Sequence, residues 1–261
     1  LFTIPASGFP QRRCRDRCGL WEVWTASAES ARLRAFSQLR CCGQQIEPTL
    51  DTRIKICGIT RVADAQASVA AGVHALGLNF APISPRRIDV ATAAEISAGV
   101  AGKATRVGLF VDPDEAQVAA VLDAVELDVL QFHGEESAAF CRGFSLPYLK
   151  AFRVAGPFDG EAAAAAYPDA CALLLDAYVP GIPGGTGSRF ELSNWPVSAP
   201  LPLILSGGLN IGNIASALAE VKERSGGLPF AVDLSGGVES GTKGVKDHQK
   251  IRDFVAAVTA A

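Results

Sequence analysis

The sequence predicts an α/β protein, a (β/α)8 TIM barrel of eight parallel strands, on three observations. From residue 51 to residue 261 short apolar runs alternate with longer stretches of helical spacing, and strict alternation makes parallel strands. Eight such runs over about 210 residues match a closed barrel in number and size. No G-x-G-x-x-G follows the first run, so the open, doubly wound alternative lacks its fingerprint, although a sequence does not show whether the first and last strands pair.

Residues 1–50 stand apart. They carry seven arginines against four acids, Trp21, Trp24 and a helix-like stretch over 26–39, but no strand-like run. An arginine-rich, acid-poor leader reads as an organelle transit peptide or as an unstructured extension. With no methionine at position 1, a fragment or a misplaced start is also expected. The expected domains are therefore an irregular N-terminal extension, 1–50, disordered or targeting, and a catalytic barrel, 51–261. Cys14, Cys18, Cys41 and Cys42 fall in the extension, in a spacing that fits no common zinc finger. Seven cysteines without regular spacing describe no disulfide framework and point to a reducing compartment.

The first strand, 54–57, lies within R-I-K-I-C-G-I-T at 53–60. Ile54 and Ile56 alternate with Lys55, the run ends on Cys57 and Gly58, and helical spacing follows over 61–71. Further strands are expected at 75–80, 106–111, 129–132, 148–152, 172–176, 203–206 and 230–234. Helices are expected between them at 91–100, 114–125, 137–144, 211–221 and 246–258. Asp112-Pro113-Asp114 and Ser137 supply start signals for two of these.

In a barrel the chemistry collects at the strand C-terminal ends, here Cys57, Asn79, Asp112, His133, Arg153, Asp176, Ser206 and Asp233. Gly207 and Gly208 follow the seventh strand, and Ser235, Gly236 and Gly237 follow the eighth. Glycines at both places free backbone amides to approach an anion, which predicts a phosphorylated small-molecule ligand. Asp176 closes an apolar run, where desolvation would disfavour the carboxylate and suit it to give up a proton; the bland alternative is a cap or a salt bridge. Cys57 is either chemical or simply packed. In a ring of eight, strands one and six are three places apart, so Cys57 and Asp176 are expected to face each other across the mouth. The loop 177–189, with Gly181, Gly184, Gly185 and Gly187, is long enough to cover a ligand. Arg86 and Arg87 offer a cation for a carboxylate, against a default of a solvated surface pair, and His133 is an orienting group or a structural histidine.

These stretches resemble the phosphoribosylanthranilate isomerase family of tryptophan biosynthesis. K-I-C-G-I-T at 55–60, S-P-R-R at 84–87, V-G-L-F-V at 107–111, Q-F-H-G-E at 131–135, L-L-L-D at 173–176, G-G-T-G at 184–187, L-S-G-G-L at 205–209 and the stretch 230–239 occur in family order. The resemblance implies an Amadori rearrangement of N-(5-phosphoribosyl)anthranilate to 1-(2-carboxyphenylamino)-1-deoxyribulose 5-phosphate, with no metal or organic cofactor. It implies Asp176 as general acid, Cys57 as general base, Arg86 on the anthranilate carboxylate, and the glycine turns after strands seven and eight as phosphate cradle. A thiol near its ordinary pKa is mostly protonated at neutral pH, so Cys57 needs a group that favours its thiolate, and the sequence does not name one. Two departures stand out. Ser235-Gly236-Gly237 replaces the family's frequent Ser-Ser-Gly, and the leader is absent from compact members.

A formal charge of -3 without a basic, aromatic-laced stripe argues against nucleic acid, and no apolar run reaches the ~20 residues of a membrane span. The expected protein is a monomer or homodimer of the cytoplasm, or of the plastid if the leader is a transit peptide. Two rival functions are the related isomerase of histidine synthesis, which uses two aspartates, and a non-catalytic barrel that senses a phosphorylated sugar.

Overall fold

The computed structural model describes residues 52–177, 189–227 and 229–261, together with the backbone of Arg40–Cys41 and Gln44–Gln45. The chain divides into two compact units, Leu1–Pro48 and Thr49–Ala261. In the first, Arg40–Cys41 pairs antiparallel with Gln44–Gln45. The stretch 26–39, the two early tryptophans and the side chains of the four early cysteines lie outside the described residues.

The second unit is a closed, all-parallel barrel. Its strands are β1 (Arg53–Cys57), β2 (Ala75–Asn79), β3 (Thr105–Phe110), β4 (Val129–Phe132), β5 (Tyr148–Val154), β6 (Ala172–Ala177), β7 (Leu203–Leu205) and β8 (Ala231–Leu234). Between and after them run α1 (Val62–Ala70), α2 (Val90–Gly99), α3 (Glu115–Ala124), α4 (Ala138–Cys141), α5 (Gly160–Ala166), α6 (Ile214–Ser225) and α7 (His248–Thr259). The ring closes where β8 pairs with β1, in a register that sets Asp233 beside Lys55.

Period-two alternation divides each strand between two buried faces. Ile54, Ile56, Leu76, Leu78, Leu173, Leu175, Val232 and Leu234 point outward and join the helices in one apolar cluster. Ile251, Phe254 and Val258 of α7, at spacings of three and four, complete the same layer. Burying a ring such as Phe254 contributes about 2–3 kcal/mol. The alternate positions point into the barrel, and there the chain places Lys55 and Cys57 of β1 and Asp233 of β8. A lysine between two isoleucines thus lies inside the lumen, not in water.

Helix starts follow their capping chemistry. Asp114 and Gln117 form a reciprocal capping box on α3, and Asp89, Ser137, Asp159 and Asp247 each accept an N–H from the first turn of their helices. Three expectations shift. The helix expected at 137–144 stops at Cys141 after one turn. The helix expected from 211 begins at Ile214, because Asn210 accepts the Gly212 amide and Asn213 accepts the Asn210 amide in a tight turn. An unexpected helix, α5, is an alanine run whose residues carry no apolar period.

Candidate active site

The lumen end of β1 and β8 is built around a buried ion pair. Lys55 Nζ donates to Asp233 Oδ1 at 2.8 Å, with both side chains almost fully enclosed. Cys57 lies two residues further along the same face and is 8% exposed. Gly77 of β2 stands in register beside it. A Cβ at Gly77 would sit 2.8 Å from the Cys57 sulfur and 3.2 Å from Lys55 Nζ, so glycine there leaves room for thiol and ammonium side by side. Burial pushes the Cys57 thiol up, and the neighbouring charges of Lys55 and Lys246 oppose that push. Burial also works against the Lys55 ammonium, but Asp233 and Cys57 outweigh it and hold its pKa above the ordinary lysine value.

Asp176 closes β6 and is 9% exposed. Its Oδ1 accepts the Ala177 N–H at 2.9 Å, and its Oδ2 lies 3.5 Å from His133 Nε2. His133 Nδ1 is 3.4 Å from Gln131 Nε2, while Gln131 Oε1 and His133 Nε2 are buried with no hydrogen bond among the described residues. Asp233 feels the charge of both Asp176 and Lys55, and Cys57 in turn feels that of Asp233. Asp233 therefore links the two expected catalytic groups through the lumen.

Arg86 departs from the bland alternative of a solvated surface pair. It is 6% exposed rather than a solvated surface cation, because Glu239 grips it with Nε–Oε1 at 2.6 Å and Nη2–Oε2 at 2.9 Å. Its stem passes over Gly58, whose φ of 69° and absent Cβ make that passage free. Lys246 Nζ joins the group, 3.3 Å from Glu239 Oε1 and 3.1 Å from Ser235 Oγ. The Ser235 hydroxyl donates to the Cys57 carbonyl at 2.8 Å, so this side chain ties the ends of β1 and β8 together. Asp64, fully buried, accepts from Arg61, from His248 and from the Lys246 amide, which fixes the loop after β8 from behind.

The glycine turns meet. A Cβ on Gly237 would sit 2.0 Å from the Leu209 carbonyl oxygen, so the loops after β7 and β8 touch only because Gly237 has none. Gly207 and Gly208 hold φ of 95° and 62°, and Gly236–Val238 forms a single 3₁₀ turn. The amides that open such a turn have no partner within it. Gly185, with the rest of the expected covering loop, lies outside the described residues. Of the expected site residues, Cys57, Asp176, His133, Asp233, Ser235 and Arg86 therefore gather at one end of the barrel with the four described glycines. Lys55, Gly77, Glu239 and Lys246 belong to the same group and were not anticipated. Lys55 shares its strand face with Cys57, but that parity does not tell a lumen from water.

The sequence profile of the N-(5'phosphoribosyl)anthranilate (PRA) isomerase family matches residues 54–257. The chain belongs to the phosphoribosylanthranilate isomerase family. It is 52% identical over 206 residues to the N-(5'-phosphoribosyl)anthranilate isomerase of Pseudomonas fluorescens strain Pf-5, covering 79% of this chain and 95% of that relative. The enzyme of that name from Azotobacter vinelandii is 48% identical over 209 residues, covering 80% and 98%. Among solved structures, phosphoribosylanthranilate isomerase from Thermotoga maritima superposes with a TM-score of 0.68 at 35% identity, covering 80% of this chain and all of the other. A phosphoribosylanthranilate isomerase in complex with reduced 1-(o-carboxyphenylamino)-1-deoxyribulose 5-phosphate superposes with a TM-score of 0.65 at 34% identity, covering 80% and 100%. The barrel of this chain is thus that of the family. No described helix is long and apolar enough to cross a membrane.

Proposed function

We propose that this isomerase of tryptophan biosynthesis converts N-(5-phosphoribosyl)anthranilate to 1-(2-carboxyphenylamino)-1-deoxyribulose 5-phosphate with Cys57 as base and Asp176 as acid. The observation that carries the assignment is the Lys55–Asp233 pair, which sets an ammonium beside the Cys57 thiol in the lumen that Asp176 also enters. Asp176 gives its proton to the ribose ring oxygen, the C1–O bond breaks, and the amine nitrogen lone pair completes a protonated Schiff base. Cys57 as thiolate then removes the proton on C2, and those electrons form the enolamine. Tautomerisation to the ketone moves the C2 hydroxyl proton off and a proton on to C1. The cation of Lys55 favours the thiolate form that the second step needs.

The phosphate is bound by backbone amides of Gly207, Gly208, Gly236 and Gly237, and Gly185 is a further substrate-binding residue. Ser235 contributes its amide, since its hydroxyl is already committed. Asp233 acts on substrate through Lys55. His133 orients Asp176. Arg86 keeps Nη1 for the anthranilate carboxylate, with Nε and Nη2 occupied by Glu239. The catalytic domain is 51–261, and the enzyme works in the cytoplasm as a monomer or homodimer. The relatives named above are bacterial, which gives a plastid location no support.

The test is turnover by the purified full chain of N-(5-phosphoribosyl)anthranilate and of the aminoaldose ribonucleotide of histidine synthesis, side by side. Conversion of the first and rescue of a tryptophan auxotroph lacking this step are expected. Conversion of the second alone would transfer the chain to the rival isomerase, and saturable binding without conversion would make it a sensor.

A further inference from the structure

Strand β4 sends Leu130 and Phe132 outward into the helical layer, so Gln131 and His133 share the lumen face, where Gln131 is fully buried. The backbone of His133 is held from both sides. Its N–H donates to the Phe110 carbonyl at 2.9 Å, and the next N–H, of Gly134, donates to Glu136 Oε2 at 3.0 Å. Glu136 is fixed in turn by Lys150, Nζ to Oε2 at 2.8 Å, with both side chains enclosed. The freedom that remains at His133 is which ring nitrogen carries the proton.

The two ring nitrogens face different partners. Nδ1 lies 3.4 Å from Gln131 Nε2, and Nε2 lies 3.5 Å from Asp176 Oδ2. An amide nitrogen only donates, so Nδ1 accepts and the ring proton falls to Nε2. Turning the amide over would bring its oxygen to Nδ1 and put an NH2 group where Oε1 now sits, buried and without a hydrogen bond among the described residues. An orphaned carbonyl oxygen costs less than an orphaned pair of donors. The charged groups nearest this pair are Asp233, which feels the charges of both His133 and Asp176, and Arg153, in register beside Asp176. Arg153 Nη2 reaches only Glu135 Oε1, at 3.8 Å. Among the described residues, Gln131 alone bonds Nδ1.

We propose that Gln131 is a positioning residue: by donating to Nδ1 it keeps the His133 proton on Nε2, facing Asp176, where it supports the carboxylate left once that acid has given up its proton. The inference rests on the reading of Asp176 as acid given above. His133 keeps its own proton throughout, so the pair steadies the ring-opening step without exchanging atoms with substrate.

The test reads the ring directly. In the nitrogen-15-labelled full chain at about pH 8, above the ordinary histidine value, the long-range proton–nitrogen spectrum of His133, assigned by its loss in His133→Gln, should show a protonated Nε2 and a bare Nδ1 shielded by an accepted hydrogen bond. In Gln131→Met that shielding should vanish, and kcat should fall about 3- to 10-fold with KM unchanged. A glutamine at 133 offers an amide N–H near the place of ring Nε2 whatever stands at 131, so adding Gln131→Met to His133→Gln should change kcat by less than about 2-fold. A wild-type proton on Nδ1, an Nδ1 signal unmoved in Gln131→Met, or equal losses of kcat in the two backgrounds would overturn the proposal. If Gln131→Met fails to fold, the wild-type spectrum decides by the nitrogen that holds the proton. Failure of wild type to convert N-(5-phosphoribosyl)anthranilate, with the ring spectrum as expected, would overturn the proposed reaction and this role with it, and leave the tautomer standing.

Discussion

Lys55 Nζ and Asp233 Oδ1 meet at 2.8 Å inside the barrel, and the thiol of Cys57 lies beside that ammonium. The pair does two things at once. It satisfies a buried charge, and it places a cation beside the Cys57 thiol, where it opposes the effect of burial.

Replacing Lys55 by Met should move the rise of kcat/KM with pH to higher pH. Burial already pushes the Cys57 thiol up, Lys55 opposes it, and activity grows as the thiol loses its proton. At neutral pH the variant should be at least roughly 10-fold slower. A pH–rate profile superimposable on wild type would separate Lys55 from the base.

Cys57→Ala and Asp176→Ala should each lower kcat about 10²- to 10⁴-fold while binding of the reduced product analogue survives. Single-turnover assays and calorimetric titration measure the two quantities. Near-normal turnover in either variant removes that residue from the mechanism.

Gly237→Ala should weaken binding of the phosphate end. The new methyl group meets the Leu209 carbonyl, so the loops after β7 and β8 must separate, at a cost of about 1–3 kcal/mol. KM and competitive inhibition by inorganic phosphate should both rise to higher concentrations, in the same proportion. An unaltered inhibition constant would place the phosphate elsewhere.

Glu239 controls the acid limb of stability. Burial works against its carboxylate, but Arg86, the Gly244 amide and Lys246 outweigh it and bring its pKa from 4.5 to about 2. A depressed carboxylate stabilises the fold above its unfolded pKa, and that contribution, about 3 kcal/mol, drains away as pH falls from 4.5 towards 2. Glu239→Gln should be less stable at pH 7 and lose less between those limits. Urea unfolding at a series of pH values measures this, and parallel curves for the two proteins would contradict it.

Barrel architecture was legible in the sequence because each strand is buried on both faces and ends in a turn, so runs such as 129–132 carried their own boundaries. Cys57 and Asp176 were legible for the same reason, being polar groups at the ends of apolar runs. Lys55 was not, because a lysine between isoleucines looks the same whether its alternate face meets water or a lumen. Glu239 meets Arg86 across 153 residues of chain, and no local pattern encodes such a meeting. Arg153 showed its position at a strand end but not its lack of a close partner.

Lys55 and Asp233 are 178 residues apart in sequence, on the first and last strands of the barrel. At ribosomal speeds the second follows the first by roughly 10 to 40 s. Throughout that interval the growing chain lacks the carboxylate that pairs with Lys55 and has no assembled thiol centre. Only when the final strand emerges can the enzyme switch on, so synthesis itself guards against turnover by unfinished copies.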